Sequence, residues 1–468
     1  MTHLNSGKIK IYFFVITTIL AASFFHICLS DLHNLDEIWN YSLSRAISMG
    51  LLPYKDYNMV QTPLYFMIMS IPLFAHRSLY VYRIACTLLA AFVSLAFYRV
   101  VSEQSHNDLL PLPFALISII AIDYVSYNDL FFLILLGVLI LLKKRKTDLH
   151  TMIIGALCAL AVFSRQTSGC ILLIMMLIII IVFFNNKVKN LLLYIAGAGI
   201  PCFAFLAYFL CTSSFSDFWD YCLFGLSSFG NNNASIMNNA FWMLVTIVLE
   251  LITDVIIFMK KKDKNVLIQI LLGLSVISIF IPIVDYCHTR FAVVYFAIPI
   301  LTIFSEKFSI KIRKQTVILL SAALVSLYLL FGISKITGTG RSDRTELRNL
   351  PIRPGSLDNY ELIADIAYKW KKEGYTVTVL SGSAVVISIM NEECNPPFDL
   401  FLNGNFSGRI DSPLVYVEEA CNGPDKIVII ETDYPTNGWQ NPSGVLEYVQ
   451  ANCQQTDTCG LFSIYKGH

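Results

Sequence analysis

The stretch DLHNLDEIWNYSLSRAISMGLLPYKDYNMVQTPL, residues 31–64, decides how the chain is organised. It follows the first hydrophobic segment directly and is the densest run of carboxylates, aromatic residues and turn residues in the N-terminal half. Almost all of the sequence on either side of it, up to about Ser334, is apolar. We expect chemistry to take place in such a polar loop at the mouth of a bundle of membrane helices.

The composition indicates an integral membrane protein. Of the 468 residues, 56% are hydrophobic and 14% are charged, whereas soluble domains are about a quarter charged. The net charge of +1 says nothing about nucleic acid, and no basic stripe stands out beyond short clusters beside apolar runs, so we expect no nucleic acid partner. The first apolar run, Ile11 to Leu29, is too long for the apolar core of a signal peptide, so we interpret it as a retained helix.

The membrane part divides into eleven candidate spans, because an α-helix needs about 20 apolar residues to cross the hydrocarbon core. The spans are residues 10–29, 79–100, 109–123, 128–142, 151–165, 168–184, 190–210, 239–259, 265–284, 290–304 and 315–334. The apolar run 62–75 is shorter and contains Pro63 and Pro72. We predict that it forms a re-entrant or interfacial helix and does not cross.

Basic clusters predict the orientation. They lie at residues 8–10, 143–146, 187–189, 260–264 and 307–314. If residues 62–75 do not cross, all of these clusters fall on one side, which the positive-inside rule assigns to the cytoplasm. We therefore expect a multi-pass plasma or inner membrane protein with a cytoplasmic N-terminus. Loop 30–78 and the C-terminal part would then lie outside the cytoplasm.

The predicted domains are a transmembrane domain 1–334, a linker 335–356 and a soluble extracytoplasmic α/β domain 357–468. In the last, periodicity predicts helices at 357–373 and 443–451 and strands at 376–380, 414–417 and 426–431. It contains no nucleotide loop or catalytic triad, so we expect a lid or an acceptor-recognition domain. Its four cysteines could form two disulfides in an oxidising compartment: Cys394, Cys421, Cys453 and Cys459.

Asp36 and Glu37 are the predicted catalytic residues. They open a segment with helical spacing just after the first span. A carboxylate at the membrane interface could act as a general base on an acceptor hydroxyl, and we assign this role to Asp36. The alternative is purely structural, because the positive end of a helix dipole favours two acidic residues at a helix start.

A turn rich in charged and aromatic residues follows in the same loop. Lys55, Asp56 and Tyr57 come after Gly50 and Pro53, and Gln61 begins the re-entrant segment. These four polar residues are predicted to bind substrate. The alternatives are that the aromatic residues anchor the loop at the interface and that Lys55 pairs with Asp56.

Taken together, the Asp36-Glu37 pair, the run GLLPYKDY at 50–57, the run TPLYF at 62–66 and Arg83 in the next span resemble the GT-C superfamily. These polytopic glycosyltransferases use polyprenyl-phosphate sugar donors and include protein mannosyltransferases and aminoarabinose transferases. The resemblance extends weakly over the membrane part, through the acidic turn around Asp123, Asn128 and Asp129, the pair Arg165-Gln166, and the motif that contains His288 and Arg290.

The resemblance implies a GT-C-like α-helical polytopic fold and inverting transfer of a sugar from a lipid-linked donor on the outer face. Asp36 matches the family's catalytic acid position, and the acceptor would be a glycolipid, a polysaccharide or a protein. One departure is that Val60-Gln61-Thr62 stands where the aminoarabinose branch has a lysine context that contacts phosphate. The cation for the donor phosphate must then come from elsewhere in this chain.

A phosphate leaving group needs its developing charge stabilised, and arginine can do this with two hydrogen bonds. The outward-facing candidates are Arg45, Lys55, Arg83, Arg165, His288 and Arg290. We favour Arg83, Arg165 and Arg290, although arginines at helix ends often only extend to the interface. No cofactor is required by the sequence. A divalent metal is possible near the phosphate, but no ligand spacing demands one.

The alternative function is a polytopic transporter or a flippase of a lipid-linked saccharide. Glu250 and Asp254 lie four residues apart within one predicted span, and carboxylates inside a membrane are often functional. Against a transporter, the sequence shows no repeat of matching broken helices, and the polar residues gather at the outer ends of the spans.

Overall fold

The structure is a computed structural model. It describes residues 6–32, 35–102, 108–120, 124–144, 147–233, 235–236, 240–308, 311–401, 405–406, 410, 412–431 and 444–468. Asp123, which belonged to the predicted acidic turn, lies outside the described residues, as does Ser443 at the start of a predicted helix.

The N-terminal two thirds are helical. The helices are α1 (Ser6–Cys28), α2 (Leu35–Ser48), α3 (Leu64–Ala75), α4 (Leu79–Ser102), α5 (Leu112–Ile120), α6 (Tyr127–Lys144), α7 (Asp148–Ser164), α8 (Gln166–Phe183), α9 (Lys187–Cys211), α10 (Phe215–Trp219), α11 (Leu226–Asn233), α12 (Phe241–Lys261), α13 (Lys264–Ile277), α14 (Tyr286–Phe308) and α15 (Lys314–Ile336). A π-helical turn, Asp220–Gly225, joins α10 to α11, and the two-residue strands β1 (Ser235–Ile236) and β2 (Ile283–Val284) pair in parallel.

Seven of the described helices are long and apolar enough to cross a membrane, and the protein is an integral membrane protein. They are α1, α4, α8, α9, α12, α14 and α15. The other four of the eleven predicted spans correspond to shorter or more charged helices. Of these, α5 has 9 residues, α7 has 17 and α13 has 14, and α6 has charged residues at both ends.

The predicted re-entrant segment forms α3, which has 12 residues and contains Pro72. A helix of this length is about 18 Å long, whereas the hydrocarbon core is about 30 Å thick. The helix is therefore too short to cross. It packs against α2 and α4, so loop 30–78 folds back onto the bundle.

Helices α7 and α9 are in close contact through two glycines. A Cβ atom on Gly155 would overlap the carbonyl oxygen of Tyr194, and one on Gly197 would overlap the backbone of Met152. Small residues allow membrane helices to approach closely, where dispersion contacts hold them together. This contact holds α9 against α7, the helix that ends at Arg165.

The C-terminal part folds around a mixed four-stranded sheet with strand order β5-β6-β8-β7. After the short antiparallel pair β3 (Gly340–Arg341) and β4 (Pro351–Ile352), its elements are α16 (Pro354–Lys372), β5 (Thr376–Leu380), α17 (Ala384–Met390), α18 (Leu414–Cys421), β6 (Lys426–Glu431), α19 (Val445–Asn452), β7 (Gln454–Cys459) and β8 (Phe462–Lys466). Strands β5 and β6 are parallel, and β8 is antiparallel to both of its neighbours.

The predicted strand at 414–417 is wrong, because these residues belong to helix α18. Val417, Ala420 and Cys421 are buried along one face of this helix, while Glu418 and Glu419 are exposed. A short apolar run fits either a strand or a helix, and the carboxylates that follow it complete a helical pattern. The predicted strands at 376–380 and 426–431 are confirmed.

The segment 335–356, predicted as a linker, packs against the membrane part. Arg45 of α2 donates hydrogen bonds to both carboxylate oxygens of Glu346 through its Nε and Nη2 atoms. Tyr41 donates to the same carboxylate at 2.8 Å, and Arg353 pairs with Asp31 at 2.9 Å. We call Tyr41, Arg45 and Glu346 the docking clamp. It joins the C-terminal part to the loop that contains Asp36.

The two predicted disulfides are absent from the structure, in which all twelve cysteines are unpaired. Cys421 and Cys453 lie within hydrogen-bonding reach of each other. Cys394 lies elsewhere, because its Sγ atom accepts a hydrogen bond from Arg45 Nη1 at 3.3 Å.

Candidate active site

Asp36 and Glu37 both lie in the first turn of α2, but their surroundings differ. The Glu37 carboxylate accepts hydrogen bonds from Arg83 Nε and Nη2, each at 2.7 Å. Arg83 also donates to the backbone carbonyls of Ser30 and Asp31. Because Arg83 is fully buried in these contacts, it holds the end of α1 against the start of α2. This favours a structural role for Glu37 and Arg83 over catalysis or phosphate binding.

The Asp36 carboxylate lies near two phenol groups. Its charge acts on Tyr124, in the connection between α5 and α6, and on Tyr127, at the start of α6. Burial raises the pKa of Tyr124 well above its usual range, and the charges of Asp36 and Cys287 raise it further. The two tyrosines therefore stay protonated, and both lie within electrostatic reach of Asp36.

Arg165 is buried next to Tyr127. It lies between α7 and α8, with its guanidinium carbon 5.7 Å from the centre of the Tyr127 ring. Its nitrogen atoms donate to the Asn128 side chain, the Ser168 hydroxyl and the carbonyl of Ile279, the last at 2.8 Å. All of these partners are neutral. Within the described part of the chain, Arg165 makes no ion pair, although it is only 7% exposed.

Arg290, near the start of α14, has a charged partner. Its Nη2 atom lies 3.1 Å from the Asp129 carboxylate and also donates to the Tyr124 carbonyl at 3.2 Å. The Ser126 backbone N–H donates to the same Asp129 carboxylate. Asn128 and Asp129, predicted to bind substrate, therefore position Arg165 and Arg290 respectively.

His288 pairs with Asp285 one turn before Arg290. The imidazole Nδ1 and the Asp285 Oδ1 are 2.7 Å apart. Burial acts to raise the pKa of Asp285, but hydrogen bonding and the charge of His288 outweigh it, so that the pKa is below its usual value. Both Asp285 and Tyr124 interact electrostatically with Arg165. The pair of Asp285 and His288 thus belongs to the same group of side chains as Tyr124 and Arg165.

The predicted substrate-binding turn separates into two parts. Gln61 lies at the cluster, within hydrogen-bonding reach of Tyr127, and Gln166 donates to the neighbouring Val60 carbonyl at 2.9 Å. Lys55, Asp56 and Tyr57 are not among the residues around Asp36 in the described contacts.

Lys55 and Asp56 do not pair with each other. Lys55 donates to the Thr212 carbonyl at 3.4 Å, and the Asp56 carboxylate accepts from the Leu52 backbone N–H at 2.7 Å. Tyr57 is buried. This turn therefore stabilises the loop instead of lining the cluster.

The described residues contain no group of three or more histidine, cysteine, aspartate or glutamate side chains that could hold a metal ion. We define the Asp36 site by Asp36, Gln61, Tyr124, Tyr127, Arg165, Asp285, His288 and Arg290. Sequence reasoning missed Tyr124, Tyr127 and Asp285 as site residues. The two tyrosines flank the acidic turn in the motif DYVSYND at 123–129, which was the available signal.

The overall architecture matches solved structures over nearly its whole length. ArnT from Cupriavidus metallidurans in the apo state aligns with a TM-score of 0.59 at 9% sequence identity, over 98% of each chain. The chain shares the overall fold of ArnT. ArnT bound to undecaprenyl phosphate aligns with the same TM-score over 99% of this chain and 98% of its own.

The oligosaccharyltransferase of Archaeoglobus fulgidus, tethered to an acceptor peptide, aligns with a TM-score of 0.51 at 10% identity. The alignment covers 97% of this chain and 74% of that one. No protein-family profile and no curated protein sequence matches the chain. At these identities the fold is shared, and the GT-C prediction is confirmed at the level of architecture.

Proposed function

We propose that the protein is a membrane glycosyltransferase that moves a sugar from a polyprenyl-phosphate donor to a hydroxyl group of an acceptor on the outer face. One observation carries the proposal. Asp36 and the buried Arg165, which makes no ion pair in the described part of the chain, both act electrostatically on the same two tyrosines at one end of a GT-C fold. A base and an anion-binding group thus share the same surroundings.

Arg165 is the proposed ligand of the donor phosphate. Burying a charge without a counter-charge is costly, and the described hydrogen-bond partners of Arg165 supply only neutral oxygen atoms. Asp285, the carboxylate that acts on Arg165 electrostatically, is already paired with His288. A phosphate bound beside it would supply the missing negative charge. As the sugar leaves, the charge on the phosphate oxygens increases, and a fixed guanidinium in a dry site stabilises that increase.

Asp36 is the proposed general base. It accepts the proton from the acceptor hydroxyl while the oxygen attacks the anomeric carbon, and the bond between that carbon and the phosphate oxygen breaks. The bonding electrons leave with the polyprenyl phosphate. Attack from the side opposite the phosphate inverts the anomeric carbon.

The other site residues complete the cluster. Arg290, held by Asp129 at 3.1 Å, brings a second cation towards Tyr124, and Gln61 and His288 offer hydrogen-bonding groups to the sugar or phosphate. The C-terminal part is docked on α2 through the clamp, which supports a role in covering the site or recognising the acceptor. The sugar, the prenyl chain and the acceptor class are left open by these contacts.

The ligands of two structures with a similar fold support this proposal. ArnT from Cupriavidus metallidurans has been crystallised with undecaprenyl phosphate. The oligosaccharyltransferase of Archaeoglobus fulgidus has been crystallised with a tethered acceptor peptide. A lipid phosphate donor and a separate acceptor are therefore compatible with this architecture.

The test is mass spectrometry of surface glycolipids, polysaccharides and proteins from cells that contain or lack the protein. Loss of one sugar from one class of glycan, restored by the wild type and not by Asp36→Asn at equal expression, supports the proposal. An unchanged set of glycans in cells without the protein contradicts the transferase function. Restoration by Asp36→Asn contradicts only the role of Asp36.

A transporter is the second candidate, favoured by the carboxylates inside α12. Asp254 is 1% exposed, and neither of its carboxylate oxygens has a hydrogen-bond partner among the described residues. Such groups often mark ion pathways. A transporter predicts that Asp254→Asn abolishes flux of a lipid-linked saccharide and that Asp36→Asn does not. The transferase predicts the reverse ranking for sugar transfer.

A further inference from the structure

A cavity of about 850 Å³ lies at the end of the bundle opposite the Asp36 site. Residues of α1, α4, α6, α12, α13 and α14 line it. Arg99 of α4 is in this lining, 16 residues after Arg83 on the same helix, which corresponds to about 24 Å along the axis. The cavity is therefore separate from the Asp36 site.

The lining has an excess of positive charge. Its basic residues are Lys8, Arg99, Lys143, Lys261 and Lys264, and its acidic residues are Asp108 and Asp263. Asp263 caps α13 by accepting the Asn265 backbone N–H at 2.9 Å. Lys261 pairs with Glu306 at 3.4 Å, where both side chains are exposed. Cations confined to one cavity repel each other, so an anion bound among them is favoured.

The floor of the cavity carries a buried hydrogen-bond donor. Gln269 lines the cavity and is 6% exposed, and its Nε2 atom has no hydrogen-bond partner in the described part of the chain. The backbone carbonyl of the same residue accepts from Tyr295 at 2.8 Å, which holds α13 against α14. A buried donor left without an acceptor is costly, and an anionic oxygen would satisfy it.

We propose that this cavity binds the phosphate group of an anionic ligand, with the basic side chains around the phosphate and the Gln269 amide below it. The cavity opens at the ends of apolar helices, beside the basic clusters predicted to face the cytoplasm. Basic pockets between membrane helices at this level suit the headgroups of anionic lipids. A soluble phosphate compound has the same chemistry, so the experiment separates the two sources.

The experiment measures thermal unfolding of the full chain in neutral detergent. The protein is titrated with dioctanoyl phosphatidylglycerol, with dioctanoyl phosphatidylcholine, and with inorganic phosphate at constant ionic strength. The double variant Arg99→Gln/Lys264→Gln removes two charges from the cavity. The matched control Lys187→Gln/Lys189→Gln removes two charges from a basic cluster whose residues do not line it.

Phosphatidylglycerol should raise the unfolding temperature of the wild type in a saturable way, and phosphatidylcholine should not. The cavity variant should need a concentration higher by on the order of tenfold for half of the effect, and the control should behave like the wild type. Stabilisation by phosphatidylglycerol alone identifies a lipid headgroup, and stabilisation by inorganic phosphate as well identifies a site for soluble phosphates. Absence of any saturable effect, or equal half-effect concentrations in wild type and cavity variant, overturns the proposal.

The Arg165→Gln variant serves as a further control, because phosphatidylglycerol could also reach the Asp36 site. Its half-effect concentration should equal that of the wild type. An increase in Arg165→Gln without an increase in the cavity variant would assign the lipid to the Asp36 site and overturn the second site. The result does not depend on whether the protein transfers sugars.

Discussion

Two regions at the same end of the bundle bury arginine side chains and neutralise them differently. In the region that holds α2, Arg83 makes two 2.7 Å hydrogen bonds to Glu37, and Arg45 binds both carboxylate oxygens of Glu346. In the Asp36 site, Arg165 has only neutral partners in the described contacts. A paired guanidinium stabilises the fold, whereas one without a counter-charge is suited to a charged ligand.

The same contrast separates two adjacent residues of one helical turn. Glu37 turns towards α4 and ends in the Arg83 pair, while Asp36 faces the tyrosines of the Asp36 site. The helix dipole favours both acidic residues equally. Only the tertiary contacts distinguish the carboxylate that is paired with Arg83 from the one proposed to react.

The largest expected effect is that of Asp36→Asn on the rate of sugar transfer. Removal of a general base should lower the rate by about 10²–10⁴-fold, while the unfolding temperature should stay near that of the wild type because the replacement keeps the shape of the side chain. The measurement is the initial rate with a polyprenyl-phosphate sugar and purified protein, beside a thermal unfolding curve. A variant with the wild-type rate would remove Asp36 from the mechanism.

The next effect is that of Glu37→Gln on stability. Breaking a buried ion pair by removing one partner costs about 3–5 kcal/mol, and Arg83 is fully buried. We expect a clear loss of stability in denaturant or heat and a smaller loss of rate per folded molecule than in Asp36→Asn. The double variant Glu37→Leu/Arg83→Met should recover part of the stability. If Glu37→Gln unfolds like the wild type and loses all activity, Glu37 is catalytic. The distinction between a structural Glu37 and a reactive Asp36 would then be wrong.

The smallest effect concerns the pH dependence of the C-terminal part near the docking clamp. Burial raises the pKa of Asp399 from 3.8 to about 6. The folded state therefore holds this proton more tightly than the unfolded state, and the resulting stability is full below about pH 4 and lost as the pH rises through about 6. Asp399→Asn should flatten the slope of unfolding temperature against pH in this range. The same slope in both proteins would assign the pH dependence to other groups.

The sequence predicts the membrane class and the overall fold, because apolar length and local motifs carry these properties. It also places Asp36 in the first turn of a helix, while its catalytic role stays a prediction. It does not predict which arginines are paired. Arg83 and Arg165 both lie at the ends of predicted spans, and their partners come from segments distant in sequence: Glu37 for Arg83, and Asn128 and Ile279 for Arg165. The partner of Arg45 is likewise 301 residues away. Pairs between residues so far apart in the chain leave no periodic pattern in the sequence, so they cannot be predicted from it.

Local sequence patterns also do not predict how the C-terminal part packs. The segment 335–356 is rich in glycine and arginine and suggests a flexible linker, yet Glu346, Leu347 and Ile352 are buried in it. The isolated bridge between Leu32 and Ile352 joins this segment to loop 30–78. Burial of these residues depends on a surface that α2 and α4 provide.

The most direct test of whether Arg165 binds the donor phosphate is a binding measurement with undecaprenyl phosphate. It compares the purified full chain with Arg165→Gln, Arg83→Gln and Asp36→Asn. We expect Arg165→Gln to weaken binding by about 10- to 100-fold, because it removes a charge-assisted contact to phosphate. Asp36→Asn should bind like the wild type, and any loss in Arg83→Gln should follow its lower stability. Wild-type affinity in a folded Arg165→Gln protein would contradict the assignment of the phosphate site.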